Sequence, residues 1–225
     1  MAYDRTIVVF SPDGRLLQVE YAREMVKNGS TSLGLRVKDG ILLGSVKTTP
    51  PLAVLDSYWK TAQIDDHIGL VSAGSLADAR ELIDMGRVRS QINRVTYGEP
   101  ISVGTLVTYI CDRMHMVTQY AGVRPYGIGL LIGGVNVDGV RLFETEPSGT
   151  MIEWKAQAIG RGADKAKKVL EKDFIDNMDK DKGLKVLVRA LLAAEKDATA
   201  ETTEVMYVTA AATTRLTDAE IKKAF

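Results

Sequence analysis

Two hydrophobic periods alternate along the 225 residues, and that alternation limits the folds open to the chain more than any other feature. Apolar residues recur every three or four positions in one early stretch, then every second position in a group of short runs, and the two habits keep exchanging. The order read from N to C terminus is helix, strands, two helices, strands, two helices, strand. Paired helical stretches that separate groups of strands are most simply accommodated by two helical layers enclosing two stacked antiparallel sheets. The expected class is therefore α+β, a four-layer α-β-β-α sandwich, with one further helix at the N-terminus.

Ser11-Pro12-Asp13-Gly14 has proline and glycine in turn positions. Over Arg15 to Lys27, Leu16, Val19, Ala22 and Val26 are spaced three, three and four apart, which predicts a helix, and Asn28-Gly29 predicts a left-handed stop. Ser32 to Val37 and Ile41 to Val46, joined by Lys38-Asp39-Gly40, read as a hairpin, and Gln63 to Asp65 with Ile68 to Ser72 as a second. Ser75-Leu76-Ala77-Asp78 has capping-box spacing and opens a helix to about Asn93, with Leu76, Ala79, Ile83 and Gly86 inward. The next helix follows Pro100, with Leu106, Ile110, Met114 and Val117 on one face. Strands are expected over Gly127 to Val135, Val140 to Glu144 and Thr150 to Lys155, helices over Ala163 to Phe174 and Leu184 to Glu195, and a last strand over Glu204 to Thr209. The polar stretch Asp173 to Gly183 reads as a solvated loop.

Charge and cysteine content remove whole classes of function. Twenty-nine basic residues balance 29 acidic ones, which argues against a nucleic-acid binder. One cysteine makes no internal disulfide, so a reducing, cytoplasmic setting is expected. The start MAYDRTIVVF lacks a signal-peptide pattern, and no apolar run approaches the roughly 20 residues of a membrane span.

Residue types that carry chemistry are present without forming a convincing centre. Cys111 and His115 share a helical face, but two ligands do not close a metal site, and a lone cysteine is more often a small buried hydrophobe. Gly127, Gly129, Gly133 and Gly134 lie inside an apolar strand, so they are no dinucleotide fingerprint. Gly160-Arg161-Gly162, with Lys165 nearby, precedes a helix but lacks the full phosphate loop, and glycines serve a strand-to-helix turn equally well. Asp65 and Asp66 point to opposite sides of an extended chain, and Arg87, Arg89 and Arg94 share their helix with acids. No cofactor and no metal are expected.

A family resemblance supplies what these residues do not. Tyr3-Asp4-Arg5, Phe10-Ser11-Pro12-Asp13-Gly14-Arg15-Leu16 and Gln18-Val19-Glu20-Tyr21-Ala22 resemble the signature of proteasome α-subunits, closest to the archaeal type. The likeness continues in Gln63 to Gly69, Ala77 to Arg80, Gln91 to Gly98, Gly122 to Gly127, Leu142 to Glu144, Glu146 to Gly149 and Ala158 to Gly160, in family order over nearly the whole chain. It implies the N-terminal-nucleophile sandwich as one domain, with 1–29 as tail, turn and first helix and 30–225 as sandwich. It also implies heptameric rings of the chain with itself, stacked on catalytic β-subunits. Such a ring templates assembly, restricts passage of unfolded protein substrates, and docks a proteasome-activating ATPase or similar activator. Neither nucleic acid nor membrane is an expected partner.

By the same resemblance, catalysis by this chain is not expected. Active β-type relatives use an N-terminal threonine whose amine is the base, helped by a lysine and an acid. Here Ser30 takes the threonine's place behind a whole helix, Val46 takes the acid's, and only Lys60 is kept. The resemblance gives Lys60 another role, lining an activator pocket between neighbours with Leu16, Glu20, Arg23 and Gly74. It assigns Tyr3, Asp4, Pro12 and Tyr21 to the gate and Tyr120, Ala121 and Gly122 to the pore loop. Two other readings stay open: a self-processed N-terminal-nucleophile amidohydrolase or peptidase, and a divergent α paralogue that forms mixed rings.

Overall fold

The computed structural model describes residues 8–47, 52–54 and 58–225. Its first helix, α1 (Leu17–Asn28), follows the Ser11–Gly14 turn, in which Gly14 N donates to Ser11 O at 2.8 Å. Val19 and Ala22 bury the inner face of α1. The expected left-handed stop is not adopted: Gly29 has φ −65° and ψ 150°, which is extended. Glycine is needed there for another reason, because a Cβ would run into the backbone of Gly74.

Among the described residues ten strands form two five-stranded antiparallel sheets. The first holds β1 (Ser32–Val37), β2 (Gly40–Val46), β8 (Ala156–Ile159), β9 (Thr203–Val208) and β10 (Thr213–Arg215), in the order β10-β9-β2-β1-β8. The second runs β3 (Thr61–Asp65), β4 (Ile68–Gly74), β5 (Ile128–Asn136), β6 (Gly139–Thr145) and β7 (Met151–Glu153) in chain order. Both expected hairpins form, with Leu35 opposite Leu42 and Ala62 opposite Leu70. Between the sheets lie Ile41, Leu43, Val71, Ala73, Leu131, Leu142, Ile159 and Met206, and Val26 of α1 packs against the end of this layer.

The helices α2 (Leu76–Tyr97) and α3 (Val103–Val117) cover the second sheet, and α4 (Ala163–Asp173) and α5 (Lys180–Ala194) cover the first, so the four-layer sandwich expected from the sequence is present. All four apolar positions predicted for α3 are buried. In α2 the buried set is Asp78, Ala79, Leu82, Gly86 and Ser90, which moves the inner face from Ile83 to Leu82. Only half of the capping box forms: Ser75 Oγ accepts from Asp78 N, but the Asp78 carboxylate is taken by Arg124 and Gly127 instead of returning to Ser75.

Two expectations change around the later strands. Of the run Thr150 to Lys155 only β7 (Met151–Glu153) is strand, and β8, which was not expected, follows it in the other sheet and pairs with β1. The polar loop is shorter than expected, because α5 starts at Lys180, where buried Gly183 and Leu184 anchor its first turns. The C-terminal helix α6 (Asp218–Lys222) is opened by a complete capping box of Thr217 and Glu220.

Candidate functional site

The chain leaves α1 and enters β1 through Gly29, Ser30 and Thr31, and a cluster of buried polar side chains gathers around these three residues. Lys60, one residue before β3, points its Nζ into this exit. It donates to Ser30 O at 2.6 Å, Ser30 Oγ at 2.9 Å and Ser32 Oγ at 2.8 Å, which uses all three donors of an ammonium. The residue is 4% exposed. Burial pushes its pKa down from the ordinary 10.5 to about 7; Glu204 and Glu195 oppose the shift, and Arg161 adds to it. Ser32 Oγ in turn donates to Ser72 O at 2.7 Å, joining β1 to β4 beneath the amine.

Thr31 is held from the other side. Its N–H and hydroxyl donate to Glu195 Oε1 at 2.8 and 2.7 Å, and the Arg161 guanidinium grips the same carboxylate, Nη2 lying 2.7 Å from Oε2. Burial acts to raise the Glu195 pKa, but Arg161 and Thr31 outweigh it and hold the carboxyl below its usual range. The Arg161 N–H donates to Gly29 O at 2.8 Å, and Gly162 N–H to Thr31 Oγ1 at 3.0 Å. Glu204 Oε1 accepts Ser45 Oγ at 2.7 Å and the Lys60 N–H at 2.8 Å.

A hydroxyl beside a lysine amine is two-thirds of a nucleophilic centre. The position that the family resemblance gives to an acid holds Val46, 2% exposed in the apolar core. Ser30 N is a peptide nitrogen behind α1, so it is not the free amine an N-terminal nucleophile requires. Lys60 meets Ser30 as the resemblance implies, while the Val46 side chain packs in the apolar cluster beneath α4 and α5; Glu195, Arg161 and Glu204 were not anticipated as part of this cluster. Their signal was faint: a carboxylate closing an apolar helix, and an arginine between two glycines.

The five residues assigned to an activator pocket do not meet within one chain. Lys60 and Gly74 lie at the C-terminal end of α1, where a Cβ on Gly29 would strike Gly74. Leu16 is the N-cap at the other end, about 17 Å along a 12-residue helix. Glu20 is engaged by Arg15, whose Nε lies 2.8 Å away, and Arg23 by Glu146 at 2.6 Å.

Of the residues that the resemblance assigns to a gate, Tyr3 and Asp4 lie outside the described residues. Pro12 is exposed in the Ser11–Gly14 turn, and Tyr21 is 53% exposed on the outer side of α1. Tyr120, Ala121 and Gly122 are exposed between α3 and β5, with Gly122 at φ +87°. Tyr21 lines a cleft of about 350 Å³ with Met25, Ser75, Asp78, Arg124 and Pro125, so α1 faces the chain that enters β5.

The other candidates resolve as structure. Cys111 is buried, with its thiol pushed up to about 12 by burial, and His115 binds Ser148 O at 3.1 Å. Asp65 and Asp66 are held by Arg94, at 2.7 and 3.5 Å. Among the described residues, no cluster of three or more potential metal ligands exists and no helix is long and apolar enough to cross a membrane.

Comparison with known proteins gives two family matches, to the proteasome subunit family over residues 26–209 and to the N-terminal signature of A-type proteasome subunits over residues 3–24. A proteasome alpha subunit from Methanothermobacter thermautotrophicus is 50% identical over 224 residues, 98% of this chain and 90% of the relative. Proteins of the same name from Methanopyrus kandleri and Methanocaldococcus jannaschii are 50% and 46% identical, covering 92% and 99% of this chain and 85% and 83% of the relatives.

Proposed function

The chain belongs to the proteasome subunit family and carries its A-type N-terminal signature, and on that footing we propose that it is a non-catalytic α-subunit of a cytoplasmic proteasome core particle. It forms heptameric rings with itself, stacks on β-subunits that carry the threonine-type endopeptidase activity, and gates the passage of unfolded proteins. The observation that carries the non-catalytic reading is Ser30 itself: its nitrogen is an internal amide behind α1, and Val46 stands in the acid's place. Ring stacking is supported by an apolar stripe on the outer face of α2, where Val88, Ile92 and Val95 are 58%, 50% and 87% exposed.

In this reading, activator tails dock between neighbours, one copy contributing Lys60 and Gly74 and the next Leu16, Glu20 and Arg23. Lys60 meets a carboxylate only by releasing Ser30, so docking exchanges a buried hydroxyl and carbonyl for a charged partner. Tyr3, Asp4, Pro12 and Tyr21 hold the gate, and Tyr120, Ala121 and Gly122 form the pore loop. Co-expression with a proteasome β-subunit tests the reading: stacked rings with peptidase activity support it, and a chain that stays monomeric beside its β partner overturns it.

Self-processing keeps one observation in its favour, the Ser30 hydroxyl 2.9 Å from an amine with a pKa of about 7, beside a Gly29 carbonyl that already accepts the Arg161 N–H. A mature chain that starts at Ser30 would establish it.

A further inference from the structure

The segment from Thr118 to Gly127 joins α3 to β5 without regular structure, and its two ends are fixed very differently. On the α3 side the Thr118 hydroxyl donates to His115 O at 2.7 Å and Gln119 N to Met116 O at 3.0 Å. Residues 119–124 are then all exposed. On the β5 side the chain is clamped to the first turns of α2. Asp78, 6% exposed, accepts Arg124 Nη2 on Oδ1 at 2.7 Å, and on Oδ2 both Arg124 Nη1 at 2.7 Å and Gly127 N at 2.8 Å. Gly127 O accepts a bond from Ser75 N at 2.9 Å. Two residues on from Arg124, Tyr126 donates its hydroxyl to Glu81 at 2.7 Å, and Arg113 of α3 reaches the same hydroxyl oxygen at 3.3 Å.

Tyr126 and Gly127 are thus held independently of Arg124, and Arg124 is the residue that extends the clamp outward to the exposed stretch. A planar fork facing a carboxylate fixes direction as well as distance. The carboxylate is itself buried, seated in the first turn of a 22-residue helix. We propose that the Arg124–Asp78 pair is the positioning device of the pore loop, setting where Tyr120, Ala121 and Gly122 stand relative to α1, and that Arg124 is therefore a selectivity-determining residue for the size of polypeptide admitted. The proposal rests on the reading of residues 120–122 as the pore loop. The same pair lines the cleft that Tyr21 and Met25 of α1 also line.

Chymotryptic cleavage after Tyr120 in the folded full-length chain reports the loop, and thermal unfolding of the same samples reports the fold. Arg124→Ala should speed that cleavage about tenfold, while Arg124→Lys, which keeps the charge but not the fork, falls between. The variants' melting points should stay close to that of the parent chain, because the Tyr126 and Gly127 anchors remain. In particles assembled with a β-subunit, Arg124→Ala should change the degradation rate of an unfolded protein several-fold and leave hydrolysis of a short peptide unchanged. Equal cleavage after Tyr120 in all three chains overturns the clamp. Altered cleavage with unaltered protein degradation in assembled particles overturns the selectivity role and leaves the clamp standing. Failure of the parent chain to assemble at all counts against the α-subunit reading, and the cleavage experiment still decides the clamp.

Discussion

Lys60 Nζ lies 2.9 Å from Ser30 Oγ, where the chain passes from α1 into β1. The pair has the shape of a nucleophile and its base, yet the amine spends its donors on Ser30 and Ser32 and helps fix the residue that follows the helix. In this geometry the pair is a structural joint.

That joint gives folding stability a pH signature. The unfolded chain keeps the Lys60 proton up to about pH 10.5, while the folded chain releases it near 7. Between those values the unfolded state binds more protons, so stability rises with pH, by at most about 1.4 kcal/mol per pH unit. Urea unfolding at pH 6.5, 8 and 9.5 should show the rise in the parent chain and none from this source in Lys60→Met. Parallel curves for the two chains would show that Lys60 stays charged in the folded chain.

Glu195 acts in the opposite window. Its folded pKa is held below the usual carboxylate range by Arg161 and Thr31, against burial. The stabilisation is present above the unfolded pKa of about 4.5 and is lost as pH falls through the folded value. Glu195→Ala orphans the buried Thr31 N–H and hydroxyl and should cost about 2–4 kcal/mol near pH 7. The difference should shrink as both chains are titrated toward pH 3, which denaturant curves would check.

Glycines near the α1 exit should differ sharply from glycines elsewhere. Gly74 has φ +116° and its missing Cβ faces Gly127 O, so Gly74→Ala should cost about 2–5 kcal/mol. Gly14 has φ +78° with open space around it, and Gly14→Ala should cost only about 1–2 kcal/mol. Gly104, in the first turn of α3 with nothing near its Cβ, should gain about 0.4–1 kcal/mol on change to Ala. Melting temperatures of the three variants should rise in that order, with Gly74→Ala lowest.

If Lys60 serves the activator pocket, Lys60→Ala should weaken activator binding at least tenfold and leave ring assembly intact, since a charge-assisted bond contributes about 1.5–3 kcal/mol. Binding to assembled particles, measured by light scattering or interferometry, decides it. Unchanged affinity would confine Lys60 to the Ser30 joint.

The sandwich was legible because its signal is repeated. Leu106, Ile110, Met114 and Val117 are all inward, and Asp39-Gly40 and Asp138-Gly139 both turn hairpins. The division of residues 150–159 between two sheets left no such trace, because Trp154 and Lys155 interrupt the strand pattern without a glycine or proline to mark the crossing. The Asp78 carboxylate looked like a capping group because spacing along one helix cannot register Arg124, 46 residues away. Glu195 and Thr31 are 164 residues apart and were invisible for the same reason. Short-range patterns report helices and hairpins, whereas the polar centre of this molecule is made of long-range pairs.

The central claim, a core-particle α-subunit that does no cleavage of its own, is tested most directly by native mass spectrometry of the chain co-expressed with a proteasome β-subunit. The account predicts a particle that contains this chain in multiples of seven together with β-subunits, and an ejected chain whose mass begins at Met1 or Ala2. A lone monomer, or an ejected chain that begins at Ser30 or Thr31, would contradict it.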